Sequence, residues 1–305
     1  MSDNKEGLGA NNNPFTNHQL PLGIRLYLNA MRMTFRATGR LSPKLASLLA
    51  LRLFMTPPSF PLPQTELKVR EKARLKMLRI DGEEIAIRSW GEGPTVLLSH
   101  GWGGRGTQFY ALIEALREAG YRAVAFDAPA HGDSTGKRTN MLSVTRTIAG
   151  IMEREEPIKA VVGHSFGCGT ALLAMDRYQL PSDKVVLFSC FTDTLWISEQ
   201  FAAAFSISAP VIEGMRREAR RRYADHFDRP WDWLELSPVK TIKKVTGELL
   251  LIHDRHDTEV PYQHALKLKE IAPEIELLTT ERLGHKKILK NRRCIDACIS
   301  HIGSG

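Results

Sequence analysis

Apolar positions divide the chain into a front part with helical spacing and a longer part in which short apolar runs alternate with helical segments. Apolar side chains recur every three or four residues in residues 24–38, and a second apolar segment, residues 43–55, follows Ser42, a typical N-cap. Two helices are therefore predicted, followed by an extended, proline-rich linker at residues 57–63. Residues 1–23 are rich in Asn, Gly and Pro and are predicted to be flexible.

From residue 68 onward the pattern predicts an α/β fold with a mainly parallel sheet. The dipeptide Asp81-Gly82 separates two strand-like segments and is a strong hairpin signal, so the sheet is expected to begin with antiparallel strands. The predicted strands are residues 73–80, 84–90, 95–99, 122–127, 160–163, 184–188, 248–253 and 274–278. The predicted helices are residues 110–119, 142–152, 166–177 and 264–271, with a last one after residue 290. Short apolar strands separated by helices predict a sheet covered on both faces.

Residues 192–246 interrupt this alternation and hold three of the five tryptophans. We interpret them as a helical cap inserted into an α/β core of residues 66–191 and 247–305, with residues 1–65 as a flexible terminus and two accessory helices. An apolar cap either binds an apolar substrate group or packs onto the body. The cap candidates for substrate binding are Trp196, Phe201 and Phe205.

Composition and charge narrow the class of protein. Of 305 residues, 43% are hydrophobic and 25% charged, as in an ordinary globular protein, and the four cysteines show no CxxC spacing, which favours a reduced, cytoplasmic compartment. The net charge is +8, but residues 1–65 hold seven basic and two acidic side chains, so the rest of the chain is nearly neutral. A nucleic-acid partner is not expected on such a body. The sequence has neither a signal-peptide pattern nor an apolar run of roughly 18 residues that would span a bilayer.

A candidate nucleophile lies where a predicted strand meets a predicted helix. Residues 163–167 read Gly-His-Ser-Phe-Gly, which is the G-x-S-x-G pattern. A strand that reverses sharply into a helix strains its central residue and crowds its neighbours, and glycines at both flanks relieve that crowding. Ser165 would then project above the sheet. The neighbouring His164 and the more distant His131 are interpreted as structural hydrogen-bonding residues.

A serine hydroxyl needs a base to remove its proton and an acid to orient that base. His285 follows the last predicted strand, and the loop after the preceding strand carries two aspartates, Asp254 and Asp257. The order along the chain is therefore serine, aspartate, histidine, with either aspartate as the orienting acid.

With these residues the chain resembles the serine-hydrolase branch of the α/β-hydrolase fold superfamily, over about residues 70–303. The resemblance rests on five segments in order: His100-Gly101-Trp102-Gly103-Gly104, residues 127–134, the strand-to-helix turn of residues 163–167 (the serine elbow), Asp257-x-x-Val260-Pro261 and Gly284-His285. It implies Asp257 as the orienting acid. It also implies an oxyanion hole formed by the backbone amides of Trp102 and Phe166.

The resemblance implies an ester or thioester hydrolase (EC 3.1-type) that needs no cofactor. Ser165 would form the acyl-enzyme, with His285 as general base and Asp257 holding its ring. Acyl transfer to another acceptor would use the same three residues. The alternative of a different class is a non-enzymatic adaptor at a membrane or partner surface.

Two motifs compete with this interpretation. Residues 101–106 also match G-x-G-x-x-G, with Asp127 about 20 residues on, as in dinucleotide-binding proteins. Residues 253–257, His-Asp-Arg-His-Asp, resemble metal ligands, but no partner segment rich in histidine accompanies them. Neither motif explains Ser165 and His285, so no cofactor and no metal are expected.

The first predicted helix carries two apolar lines on nearly opposite sides, together with several arginines. One line contains Ile24, Leu28, Met31 and Phe35, and the other Leu26, Ala30, Met33 and Ala37. Two opposed lines favour burial between neighbouring elements. Peripheral contact of residues 24–55 with an anionic membrane is the alternative, because no acidic residue lies between Glu6 and Glu66.

Overall fold

The computed structural model describes residues 21–155, 157–226 and 231–304. Most of the segment predicted to be flexible, residues 1–20, lies outside the described residues. The described chain forms two compact units. One contains residues 21–54 and Asp193–Glu235, and the other contains Met55–Thr192 and residues 236–304.

The helices follow the predicted positions, with two additions. In chain order they are α1 Leu22–Leu41, α2 Pro43–Phe54, α3 Gln64–Glu71, α4 Tyr110–Glu118, α5 Met141–Glu155, α6 Phe166–Tyr178, α7 Thr194–Phe205, α8 Ala209–Arg222, α9 Pro238–Thr241, α10 Gln263–Ile271, α11 Gly284–Lys287 and α12 Arg292–Gly303. Helix α3 and the short helix α11 were not predicted. Helices α1, α2, α7 and α8 belong to the first unit and the others to the second.

The second unit contains an eight-stranded sheet. Its strands are β1 Arg74–Ile80, β2 Glu83–Trp90, β3 Thr95–Ser99, β4 Arg122–Phe126, β5 Ile158–His164, β6 Lys184–Phe188, β7 Glu248–Asp254 and β8 Glu276–Thr280. They lie in the order β1-β2-β4-β3-β5-β6-β7-β8. The β1–β2 and β2–β4 pairs are antiparallel and all the others parallel, which confirms the predicted sheet with a hairpin at one edge. Asp81 and Gly82 both have positive φ, 53° and 86°, as a two-residue hairpin turn requires.

Apolar residues cover both faces of this sheet, because successive side chains of a strand point to opposite sides. Val161 of β5 packs in the cluster that contains Leu97, whereas its neighbour Val162 packs in the cluster that contains Leu98 and Phe109. All five are fully buried. The continuous apolar runs of the central strands thus pack in two cores, one on each face of the sheet. Because both faces are packed, the carboxyl ends of β3, β5 and β7 form a rigid edge.

In the first unit, helices α2 and α8 cross at small side chains. Ser47 of α2 is buried and donates a hydrogen bond from Oγ to the Val211 carbonyl oxygen of α8, 2.9 Å away. A Cβ added at Gly214 of α8 would lie 3.0 Å from the Ser47 Cβ and closer still to its Oγ. The glycine is therefore required by the close approach of the two helices.

Aromatic rings and one buried arginine complete the packing of this unit. Phe54 lies 5.1 Å from Phe201, and Phe35 lies 6.3 Å from Phe205, between ring centroids. Arg216 of α8 is buried and donates from Nε to the hydroxyl of Ser198 on α7, 2.9 Å away. A guanidinium can be buried here because its donors have acceptors on both helices.

Among the described residues, no helix combines the length and the apolar character that crossing a bilayer would require.

We predict that Gly214→Ala lowers the free energy of unfolding by about 1–3 kcal/mol, because the added methyl group meets Ser47, whose hydroxyl is held by hydrogen bonds. The matched control is Gly39→Ala in α1, where the nearest atom would be 3.5 Å away and alanine should stabilise the helix by roughly 0.5–1 kcal/mol. Urea unfolding of both variants measures the difference. Equal effects of the two substitutions would show that the α2–α8 crossing is not close.

Candidate active site

The chain makes the strained turn predicted from the glycine spacing. Strand β5 ends at His164 and α6 begins at Phe166, so Ser165 alone makes the reversal, with φ 52° and ψ −117°. A Cβ at Gly163 would lie 2.7 Å from the Cα of Cys168. One at Gly167 would lie 2.7 Å from the His100 carbonyl oxygen and closer to that of Ser99. Only glycine fits at both flanks, and Ser165 is left half-buried at the carboxyl edge of the sheet.

The structure brings His285 and Asp257 together, although 28 residues separate them. The Nδ1 atom of His285 lies 2.8 Å from Oδ2 of Asp257. The other carboxylate oxygen accepts hydrogen bonds from the amides of Glu259 and Val260, each 2.9 Å long. Burial opposes ionisation of Asp257, but the hydrogen bonds from His285 and from the Val260 amide outweigh it and hold its pKa below the ordinary value. Asp257 is therefore an ionised, immobile partner for the imidazole.

Asp254 has a different environment. Its carboxylate accepts hydrogen bonds from the amide of Leu283, 3.0 Å away, and from the hydroxyl of Thr280, 2.8 Å away. It also accepts from the amide of His256, 2.9 Å away. Asp254 thus fastens the backbone that leads into α11, whereas Asp257 contacts the His285 ring itself.

His164 links the serine elbow to the loop of His285. Its Nε2–H group donates to the His285 carbonyl oxygen at 3.0 Å. Its Nδ1 accepts from the side-chain amide of Gln108 at 3.1 Å. The His164 and His285 rings lie 4.7 Å apart. Among the described residues the Ser165 hydroxyl has no hydrogen-bond partner. The link between the elbow and the loop of His285 is His164, the residue before Ser165. Catalytic hydrogen bonds are often long in free enzymes and shorten when substrate binds.

The loop after β3 abuts the elbow on its other side. The rings of Trp102 and Phe166 meet edge to face at 5.2 Å, and a Cβ at Gly101 would lie 3.4 Å from the Ser165 Cβ. The Gly103 amide donates to His131 Nε2 at 3.0 Å. In the described part of the chain the amides of Trp102 and Phe166 donate to no other group. Within the described residues both amides therefore stay available to a bound group, and Phe166 is the residue that follows Ser165.

Two buried histidines hold this loop without carrying charge. His131 accepts from Gly103 at Nε2 and donates from Nδ1 to the Pro129 carbonyl oxygen, 3.0 Å away. His100 accepts from the Ala128 amide at Nε2, 2.9 Å away. Burial lowers the pKa of His100 and lowers that of His131 to about 3. Both are neutral hydrogen-bonding residues, in agreement with the structural role predicted for His131.

The acidic residue of the competing dinucleotide motif, Asp127, is already bonded within the protein. Asp127 is 2% exposed, and its oxygens accept from the amides of Gly106 and Asp133 at 2.9 and 3.0 Å. It also pairs with Arg88 at 3.0 Å. A carboxylate occupied in this way does not bind a ribose hydroxyl. Within the described residues, no group of three His, Cys, Asp or Glu side chains is placed to hold a metal ion.

Sequence reasoning missed two residues near the histidine. Gln108, which fixes His164, lies in a short 3₁₀ turn and belongs to no motif. Glu259 places its carboxylate 3.9 Å from Nε2 of His285 and occupies a variable position of the D-x-x-V-P pattern. The cap candidates Trp196, Phe201 and Phe205 lie on α7 in the first unit. Their assignment to substrate binding stays a prediction.

Comparisons with known proteins indicate the family of the chain. The alpha/beta hydrolase family matches residues 96–289, which is more than half of the chain. The chain is similar to protein ABHD12B from Homo sapiens, at 28% identity over 53% of the chain and 44% of the relative. It is also similar to the lysophosphatidylserine lipase ABHD12 from Bos taurus, at 27% identity over 59% of the chain and 45% of the relative. The chain thus spans less than half the length of these two curated relatives.

Solved structures show the same fold. A meta-cleavage product hydrolase from Pseudomonas fluorescens is 25% identical, with a TM-score of 0.55, and the match covers 74% of this chain and 96% of that one. The similarity between this chain and α/β hydrolases that the sequence indicated is therefore confirmed.

We predict that the free energy of unfolding falls when the pH is lowered from 7 to 5. His131 is neutral when folded but takes up a proton near pH 6.5 when unfolded, so acid favours the unfolded chain. For His131 alone the loss is about 2 kcal/mol. The control is His131→Gln, whose amide oxygen can still accept from Gly103 but does not titrate. Urea unfolding at both pH values should show a smaller loss for the variant; equal losses would contradict a neutral His131.

Proposed function

Since the chain belongs to the alpha/beta hydrolase family, we propose that it hydrolyses a carboxylic ester or thioester through an acyl-enzyme on Ser165. The observation that carries the proposal is the 2.8 Å hydrogen bond between Asp257 and His285, whose loop is bonded through His164 to the strained elbow of Ser165. A buried aspartate bonded to Nδ1 leaves Nε2 as the basic atom of the ring. That is the tautomer a general base for serine needs.

In the proposed reaction, Nε2 of His285 takes the proton of Ser165 as Oγ attacks the carbonyl carbon of the substrate. The tetrahedral intermediate collapses, and the leaving alcohol or thiol takes that proton from His285. Water then gives a proton to His285 and attacks the acyl-enzyme, which releases the acid and returns the proton to Ser165. Asp257 stays ionised throughout and stabilises the imidazolium.

The amides of Trp102 and Phe166 are the proposed donors to the oxyanion. Each such donor typically contributes about 3 kcal/mol to the stabilisation of the transition state. Phe166 is also the first residue of α6, so its amide belongs to the positive end of a helix of 13 residues. The strained turn thus presents the nucleophile and one donor from adjacent residues.

The relatives named lysophosphatidylserine lipase support an ester substrate with an acyl chain. Hydrolysis of p-nitrophenyl esters with increasing acyl length tests the class of substrate and its size. A p-nitrophenyl ester with a long acyl chain is expected to give a higher kcat/KM than p-nitrophenyl acetate. A protein acting only as an adaptor would hydrolyse none of them and would not react with a serine-directed phosphonate.

We predict that Ser165→Ala and His285→Ala each lower kcat on these esters by several powers of ten. The reason is that the serine, histidine and aspartate of a catalytic triad act as a unit. Phosphonate labelling of the full chain should disappear in Ser165→Ala. Near-ultraviolet circular dichroism checks that the variants are folded. More than a tenth of the wild-type activity in either variant would refute the assignment.

We further predict that Asp257→Asn lowers kcat by about 10⁴-fold, because the amide no longer holds the reactive tautomer of His285. The matched control is Asp254→Asn in the same loop, which weakens the bonds to Leu283 and Thr280 but leaves the ring contact in place. Asp254→Asn should lower the free energy of unfolding, and it should lower kcat far less than Asp257→Asn does. A larger loss of kcat in Asp254→Asn would mean that Asp254 is the orienting acid.

A further inference from the structure

Helix α1 uses only one of its two apolar lines for packing within its unit. Leu28 and Phe35 are 4% and 3% exposed, and Phe35 meets the ring of Phe205. Between them, Arg32 donates from Nε to the Ala204 carbonyl oxygen at 3.0 Å. This side of the helix contacts α7 through Arg32 and Phe35, whereas Ile24 at its start is 42% exposed.

The opposite side of α1 is apolar and open to solvent. Leu22, Leu26 and Met33 are 69%, 60% and 70% exposed, and Ala30 and Ala37 are exposed as well. At 100° per residue these five positions lie within about 80° of one another around the helix axis. We call them the apolar stripe. Single exposed leucines need no explanation, but a continuous stripe from Leu22 to Ala37 of α1 indicates an unmet partner.

Basic residues border this stripe. Arg25, Arg36 and Arg40 are exposed along one edge of it, and Lys44 follows at the start of α2. None of the ion pairs found in the described residues includes any of the four. The chain has no acidic residue between Glu6 and Glu66, so nothing nearby in sequence neutralises them.

The apolar surface continues around the corner between α1 and α2. Leu41 is 86% exposed and Leu45 is 64% exposed, and they alternate with Arg40 and Lys44. The surface thus consists of exposed apolar side chains bordered by cations. A second copy of the chain fits it poorly, because a symmetric contact would bring the basic borders together.

We propose that α1 and the α1–α2 corner dock this surface on an anionic lipid bilayer. The apolar stripe would enter the boundary between headgroups and acyl chains, and the arginines would face lipid phosphates. The helix lies in the plane of the interface and does not cross the bilayer. This docking does not depend on the proposed hydrolase activity, and it is measured without substrate.

The test is flotation of the full chain with vesicles of phosphatidylcholine and phosphatidylglycerol, compared with vesicles of phosphatidylcholine alone. Binding is expected to the anionic vesicles, and to weaken as salt is added. Met33→Asp should abolish it, and Leu26→Asp provides a second, independent variant. The double variant Arg25→Gln, Arg36→Gln should lower the partition coefficient roughly 30-fold, since each cation near such a surface contributes about fivefold.

The matched control is Leu266→Asp, which changes an equally apolar residue, 49% exposed, on α10 of the other unit. It should bind vesicles like the wild type. All these variants should hydrolyse a soluble p-nitrophenyl ester as the wild type does, so a failure of docking is distinguishable from a failure of the proposed activity.

Four results would overturn the proposal. They are no flotation of the wild-type chain, equal binding to neutral vesicles, unchanged binding of Met33→Asp and Leu26→Asp, or a dimer in vesicle-free solution that Met33→Asp dissociates. The last result would assign the surface to a second copy of the chain.

Discussion

The close approach of the serine elbow to the end of strand β3 is the constraint on which the candidate site depends. Gly167 lies against the carbonyl oxygens of Ser99 and His100, with no room for a Cβ. Because α6 can start only there, Ser165 is forced to φ 52°, outside the region that serine favours. Residues held in this way are strained by of order 1–3 kcal/mol and persist because their surroundings permit nothing else. The two apolar cores of the sheet supply those surroundings.

Around this point the protein uses neutral histidines as hydrogen-bonding links between loops. His100, His131 and His164 each have a lowered pKa, with burial as the largest cause. A neutral imidazole offers one donor and one acceptor in fixed directions, so it can bridge two backbone segments without placing a charge in the core. Cationic residues at these positions would disfavour the imidazolium that the proposed reaction forms on His285. The links therefore fix the geometry of the site while leaving its electrostatics to Asp257.

Local signals in the sequence predicted the features that local sterics decide. The Asp81-Gly82 turn and the glycines around Ser165 impose backbone shapes that few other residues allow, and both are present. Helix α3 escaped prediction because it is short and largely polar and has no clear apolar face. The buried position of Arg216 escaped it too, since its acceptor Ser198 lies on another helix, 18 residues away.

The same limit applies to the candidate site. The order of serine, aspartate and histidine follows from the chain, but the bridge from Gln108 through His164 to His285 joins positions 56 and 121 residues apart. Parallel strands make such contacts possible, because their carboxyl ends meet at one edge of the sheet whatever the length of the connections. Which side chains meet at that edge depends on the conformation of the loops, and the hydrophobic periodicity of the sequence does not predict loop conformation.

The two aspartates at the end of strand β7 and in the loop after it make different contacts. Asp254 is the last residue of the strand, so its carboxylate is fixed by the sheet and reaches the backbone amide of Leu283. Asp257 lies three residues further into the loop, which brings it level with the imidazole that follows Leu283 by two residues. The other oxygen of each carboxylate accepts from amides of its own loop, from His256 in Asp254 and from Glu259 and Val260 in Asp257. The distance from the strand end therefore decides which of the two buried aspartates contacts the imidazole of His285.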